Sequence, residues 1–367
     1  MSFESGSVSF RMFYVPRPLP DDARERFDRL AAPPLKSLGS ESLQGWVGGR
    51  HLLDLPITDE NAYYGGHLRL TLMKAERKVP QSLLRAECML EEVAQMQVEG
   101  KPFLDRKTRS NIRKEVLHRL LPQMPPTLKG VPFVYDERAG ILYATATTDS
   151  QLDAFVVNFQ TTTGIDLIPV FADTAAAKRR QVNVRDWTRT SFSPEVADEE
   201  MDDTPGLDFL TWLWFASEAR GGLFKSKDHG DIGVALEGPL LCTRAGEGAH
   251  EMALRKGLPT VSAEAKTALL SGKKLRRAKL MLALPDEAWS CSFDTQTFVI
   301  RSLKLPDPKE MLDPASRFQE RILKIGLFRD LLFEVFDRFL NDRCDPKKWI
   351  AAKKEIHQWV TARSTRK

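Results

Sequence analysis

Glu264-Ala265-Lys266 is the triplet in this chain that most resembles a catalytic signature. It matches the ExK portion of a metal-dependent nuclease site, where carboxylates on adjacent strands hold a divalent ion and the lysine assists the nucleophile. The triplet follows Ser262 in SAEAKTALL, which reads as a helix start, and three-residue matches are common. His250-Glu251 has Leu254 where a zinc-peptidase helix needs its second histidine. No phosphate-cradling GxxxxGK[ST] and no GxSxG elbow occur, and the six histidines are scattered. The residues therefore imply no cofactor and no metal.

What the sequence does concentrate is positive charge. The first cluster lies in KPFLDRKTRSNIRKEVLHRLLP, with Lys101, Arg106, Lys107, Arg109, Arg113 and Lys114. The second is Lys178, Arg179, Arg180, Arg185 and Arg189. The third runs from Arg255 and Lys256 through Lys266 to Lys273, Lys274, Arg276, Arg277 and Lys279, and Gly257 and Gly272 there allow close backbone approach. Cations gathered this way neutralise phosphates and release counterions, which gives affinity with little sequence information. The plainer reading is that they keep surface helices solvated. Net charge is only +4, because an acidic patch (Glu195, Asp198, Glu199, Glu200, Asp202, Asp203) offsets the basic clusters. A nearly neutral chain with basic patches suggests a shaped basic surface or channel.

The first cluster needs a helix to present it. Ile112, Val116, Leu120 and Leu121 recur on one narrow stripe, and Arg106, Arg109 and Arg113 recur on another. A preceding helix from Pro80 to about Val98 has Leu83, Ala86, Leu90 and Val93 in register, and Gly100 and Pro102 separate the two. Residues 80–129 are thus expected to form a helical-hairpin arm. Around it, residues 1–79 and 130–177 read as one α+β domain. Its strands are Val8–Val15 (Phe10, Met12 and Tyr14 on one side), His67–Lys74, the hairpin Val131–Asp136 with Ile141–Thr147, and Ile165–Val170. Asp21–Leu30 and Asp149–Phe159 read as helices, and Gly45–Gly49 as a turn or bulge with one buried aromatic.

Residues 178–310 are expected to be a strand-rich second domain, with strands at Ile232–Leu236, Leu240–Thr243, Leu275–Leu284, Trp289–Phe293 and Phe298–Leu303. A helix opened by Thr204-Pro205 is apolar nearly all round and holds Trp212, Trp214 and Phe215. It is either fully buried or a stacking platform for bases. Residues 311–367 are expected to be C-terminal helices that supply the dimer contact. In the long one after Asp313-Pro314, Phe318, Ile322, Ile325, Phe328, Leu332, Val335, Phe336 and Phe339 cover more than one face, which suits a buried or dimer-forming helix. A last helix follows Asp345-Pro346, then a basic tail, Arg363–Lys367. The fold class is α+β, with antiparallel sheet and helices and a protruding arm.

Four well-separated cysteines with no CxxC pair suggest a reducing compartment and neither a disulfide framework nor a zinc knuckle. MSFESGSVSF carries no export pattern, and no apolar run is long enough to span a membrane. A cytoplasmic location is the default.

Several motifs then occur in a familiar order. Leu38-Gly39-Ser40, Gly45-Trp46-Val47, Glu76-Arg77-Lys78-Val79-Pro80 and Lys114-Glu115-Val116-Leu117-His118-Arg119-Leu120-Leu121-Pro122 resemble the bacterial recombination-associated RdgC family. The EVLHxLLP run is the most specific of them. The likeness is clearest over about residues 8–170 and weaker beyond, through Val184-Arg185-Asp186-Trp187. It implies a closed, ring-shaped homodimer that passes double-stranded DNA through a basic hole, without catalysis or sequence preference. It also implies a nucleoid-associated role, restraining a RecA-type recombinase in recombination and replication restart. On the matching positions, Lys101, Arg106, Arg109, Arg113 and Lys114 would line or gate the hole, and Arg255-Lys256 would lie near its inner wall. Where better-known members place a basic residue and an aromatic at the arm's tip, this chain has Gln123-Met124-Pro125-Pro126. Residues 195–227 look like an enlargement, and the C-terminus is extended past Asp345. Two rival readings remain: a metal-dependent exonuclease using Glu264 and Lys266, and an interaction scaffold recruiting a partner through the acidic patch and Trp212/Trp214.

Overall fold

The computed structural model of the chain describes residues 3–202, 204–244, 250–308 and 313–362; Asp203 of the acidic patch and the basic tail Arg363–Lys367 lie outside the described residues. The chain begins with β1 (Val8–Tyr14), α1 (Ala23–Arg29), β2 (Leu43–Val47), α2 (Asp59–Ala62), β3 (Tyr63–Tyr64) and β4 (His67–Arg77). Two long helices follow, α3 (Gln81–Glu99) and α4 (Arg106–Leu120). Then come β5 (Pro126–Asp136), β6 (Ile141–Ala144), α5 (Asp149–Thr163) and β7 (Ile168–Pro169). The second half comprises α6 (Ala172–Arg180), α7 (Pro205–Ala219), β8 (Leu223–Lys225), β9 (Asp231–Thr243), β10 (Glu251–Leu254) and α8 (Ala263–Leu270). It closes with β11 (Lys274–Leu284), β12 (Glu287–Asp294), β13 (Val299–Lys304), α9 (Pro314–Arg343) and α10 (Pro346–Thr361).

The strands form one antiparallel sheet in the order β10-β9-β11-β12-β13-β1-β6-β5-β4-β2, with β8, β7 and β3 added beside β9, β1 and β4. This is the expected α+β class. β1 joins the two halves, because Val8 and Phe10 pair with β13 while Arg11–Tyr14 pair with β6. Both of its faces are covered, so side chains that alternate along it enter different cores. Phe10, Met12 and Tyr14 enter the larger core beneath α7 and α9, whereas Phe13 packs with Phe27, Trp46, Phe133, Phe155 and Phe159 in a smaller one.

α7 lies inside the larger core. Trp212, Trp214 and Phe215 are buried, so the packing reading of that helix holds and the stacking platform does not. The eight apolar residues singled out in α9 are also buried within the chain's own core, where Phe336 meets Phe209 edge-on at 4.9 Å. Their excess over what a surface helix needs is accounted for without a second chain.

Three local expectations are corrected. Gly45-Trp46-Val47 is not a turn but the end of strand β2, paired with Met73, Leu72 and Thr71. Gly45 is there because Ala32 crosses it, and a Cβ would lie 2.5 Å from the Ala32 Cα. Residues 232–243 form one strand rather than two. Gly238-Pro239 interrupts the pairing, and irregular register against β11 absorbs the break without ending the strand. The strand expected at Ile165–Val170 shrinks to Ile168–Pro169.

β4 and β5 pair along their length as far as Arg77 and Pro126, and the two helices emerge from that end. At 1.5 Å per residue α3 is about 28 Å long and α4 about 22 Å. They pack on each other around Leu84, Cys88, Ile112, Val116 and Leu120, a small apolar cluster separate from both main cores. Gln123-Met124-Pro125-Pro126 therefore stands at the base of the pair, not at its tip, and Arg77 there donates to the Met124 carbonyl. The tip is the connection after Gly100, whose φ of 62° closes α3 in the left-handed conformation.

The face of α3 that meets α4 is also not the expected one. Leu84 and Cys88 point inward, while Ala86, Leu90 and Val93 face solvent. Of the four expected positions Leu83 alone packs, partly buried, against the cluster with α4, and Met96 joins it there. Turning Glu87, Glu91 and Glu92 toward α4 lets Arg119 bridge Glu87 and Glu91 at 2.9 and 2.6 Å and sets Arg109 3.7 Å from Glu92.

Candidate nucleic-acid interface

Whether a cation can reach a phosphate depends on whether a carboxylate inside the fold already holds it. On α4, Asp105 caps the helix by accepting the Thr108 amide at 2.6 Å, which holds its carboxyl below the usual range and fixes where the following cations point. Arg106, Lys107, Arg113 and Lys114 are all exposed and make no ion pair among the described residues. At 100° per residue, Arg106 and Arg113 lie on one line along the helix, flanking the buried stripe of Ile112, Val116 and Leu120, and Lys107 and Lys114 on another, opposite it. Arg109 shares its charge with Glu92. Lys101, at the tip, donates to Glu99 at 2.9 Å, and that carboxylate holds the ammonium's pKa up.

In the second cluster Lys178, Arg185 and Arg189 are exposed and make no ion pair among the described residues, while the other two act as a tether. Arg179 holds Asp337 through two hydrogen bonds and Arg180 donates to Asn341 at 2.5 Å, so α6 is fastened to α9. Arg189 donates to the Glu199 carbonyl at 3.2 Å. Lys178 sits 5.2 Å above the Tyr14 ring, and burial raises that phenol to about 12.

The third cluster divides. Lys274 is buried, its ammonium 2.5 Å from Asp208 in a site that also holds Arg343. Its charge stays inside the core, which removes it from any surface set. Arg276 and Arg277 share the buried carboxylate of Asp294, and Arg276 also pairs with Glu251 at 3.0 Å. Lys279 pairs with Glu237 at 2.6 Å across β9. Lys273 only touches the Ser271 hydroxyl at 3.1 Å, and Arg255 and Lys256, just past β10, are exposed without an ion pair among the described residues.

Besides Lys178, Arg185 and Arg189, two sets of cations without an ion pair among the described residues remain, one on α4 and one beside β10. Eight inter-strand spacings of about 4.8 Å separate β10 from β4, which puts the sets on the order of 40 Å apart along the sheet. One further basic group escaped the sequence reading. Arg317, Arg321 and Lys324 recur along α9 at four- and three-residue spacing and share a cleft with Lys304. That spacing was the available signal, and the apolar richness of the same helix masked it.

The nuclease-like triplet sits on α8, with Ser262 capping it. The Lys266 ammonium donates at 2.9 Å to both the Trp359 and Ala362 carbonyls, so it closes the end of α10. Among the described residues, no group of three or more His, Cys, Asp or Glu is arranged to hold a metal, and no helix is long and apolar enough to cross a membrane. Cys88, Cys242, Cys291 and Cys344 are unbridged thiols.

Comparison with known proteins follows the same outline. The model of a family described as "Putative exonuclease, RdgC" matches residues 12–196, just over half of the chain. A protein of Pseudoalteromonas atlantica named "Recombination-associated protein RdgC" is 28% identical over 117 residues. That match spans 31% of this chain and 37% of the relative, about a third of each.

Proposed function

The chain belongs to the RdgC family, and from that premise we propose that it acts in recombination as a non-catalytic, sequence-nonspecific binder of double-stranded DNA. It works as a homodimer that encircles the duplex and restrains assembly of a recombinase filament. The observation that carries DNA binding is the arm: Arg106, Lys107, Arg113 and Lys114 stand without a carboxylate partner on a helix held away from both cores. Arg255, Lys256 and Lys273 supply a second basic contact at the far end of the sheet, and Lys101, Arg109, Arg276 and Arg277 contribute less because acids share their charge. The test is retardation of linear duplex by the purified protein at low salt, with magnesium present. Binding with intact DNA ends is the expected result. Absence of binding contradicts the proposal, and magnesium-dependent loss of ends that Glu264→Ala abolishes would replace it with the exonuclease.

The outward face of α3 supports the homodimer. Met89, Leu90 and Val93 are 61%, 66% and 48% exposed, and Ala86, Ala94 and Gln97 extend the same uncharged strip. Val98 and Phe103 add exposed apolar surface near the tip. Such a strip is suited to an isologous contact with its own copy, arm against arm. Leu90→Glu, an exposed position, is expected to leave the folded monomer's circular dichroism unchanged and weaken self-association at least about a hundredfold, since each dimer would bury two unpaired charges. Sedimentation equilibrium reads this directly, and an unaltered dimer would move the contact elsewhere.

The scaffold reading is less favoured. Trp212 and Trp214 are inside the core, and part of the acidic patch is occupied, with Asp198 held by Lys353 at 2.6 Å and Glu200 by Arg244 at 3.1 Å.

A further inference from the structure

A cleft of about 390 Å³ opens between the first turns of α9, the end of β13 and the backbone at Gly6-Ser7. Lys304, Arg317, Arg321 and Lys324 converge on it. Among the described residues, only Lys324 is matched by a carboxylate, that of Glu287. Arg321 is half-buried and spends two donors on main-chain carbonyls, Phe3 at 3.0 Å and Gly6 at 2.7 Å. Burial and the neighbouring Arg317 charge both press its pKa down. Lys304 and Arg317 form no ion pair among the described residues. Glu320 and Asp307 also line the cleft, but neither lies within ion-pairing distance of these cations.

A partly desolvated guanidinium, with a like charge one helical turn away and no carboxylate of the described residues on either, is an arrangement that an anion stabilises. Its rigid fork, already fixed on the backbone by two bonds, presents the rest of its donors without further ordering. Lysine and arginine from two other directions suit a tetrahedral oxyanion better than a planar carboxylate. We propose that this cleft is a phosphate-binding site, with Arg317 and Lys304 as the contacting cations and Arg321 as the fixed floor. The phosphate is supplied either by a nucleic-acid backbone passing along α9 or by a small free polyphosphate.

Calorimetric titration of the full chain with inorganic tripolyphosphate tests the site. The wild type is expected to bind, and Lys304→Ala/Arg317→Ala to bind at least about tenfold more weakly with the same melting temperature. Arg106→Ala/Arg113→Ala is expected to match the wild type. Absence of wild-type binding, an unaffected double variant, or equal loss in the arm variant each overturns the site. The source is read from duplex binding by the Lys304/Arg317 variant. A salt slope flattened by about 1.8, two contacts at about 0.9 each, identifies backbone phosphate, and an unchanged slope identifies a free polyphosphate. Because the tripolyphosphate titration needs no DNA, its outcome is separable from that of the duplex-binding proposal.

Discussion

Replacing Arg106, Lys107, Arg113 and Lys114 together by alanine is expected to flatten the log–log salt dependence of duplex binding by about 3 to 4. Each phosphate contact contributes about 0.9 to that slope, and all four side chains are exposed and unpaired. Between about 50 and 200 mM salt, the variant would then lose roughly a hundredfold less affinity than the wild type. The helix itself should survive, because none of the four belongs to the buried stripe and alanine has the highest helix propensity. Arg119→Ala is the control. Its guanidinium is already bridged by Glu87 and Glu91, so its loss should leave the slope nearly unchanged. Equal slopes for the quadruple variant and the wild type would mean that the arm cations only solvate the helix.

Lys274→Met is expected to do the opposite, costing stability and leaving DNA binding alone. The ammonium and the Asp208 carboxylate are both almost completely buried at 2.5 Å, with Arg343 3.7 Å from the same carboxylate. Removing one partner of such a pair leaves a buried charge poorly compensated and typically costs about 3–5 kcal/mol, even when the replacement preserves volume. Chemical denaturation measures this, and the salt slope of the remaining folded protein should equal that of the wild type. A stable variant with a flattened slope would return Lys274 to the surface set.

That pair also marks where the sequence stopped being legible. Lys273, Lys274, Arg276 and Arg277 form a basic run broken only by Leu275, yet the carboxylates that engage three of them, at 208, 251 and 294, come from other elements. Charge density along a chain says nothing about which charges the fold neutralises. On the arm the local pattern was more informative, because its apolar stripe and its cations lie within single helices and the α4 stripe is buried as expected. For α3 the same logic picked the wrong face, since two stripes were available and the one through Leu84 and Cys88 packs on α4, with acid–arginine pairs along its edge. Trp46 was recognised as buried, but its flanking glycines suggested a turn. Only the close crossing of Ala32 explains why a strand needs Gly45. The apolar excess of α9 leaves burial and a dimer contact equally open in the sequence, and α7 and the sheet supply the cover within one chain.

Encirclement is tested most directly by topology. Protein loaded at low salt on covalently closed circular duplex, and separately on linear duplex of the same sequence with free ends, would be challenged with high salt and the retained fraction measured. A ring that encloses the duplex cannot leave a closed circle without opening, so retention on the circle and rapid loss from the linear form is the predicted result. Equal loss from both would contradict a closed dimer and reduce the protein to a binder that sits on the outside of DNA.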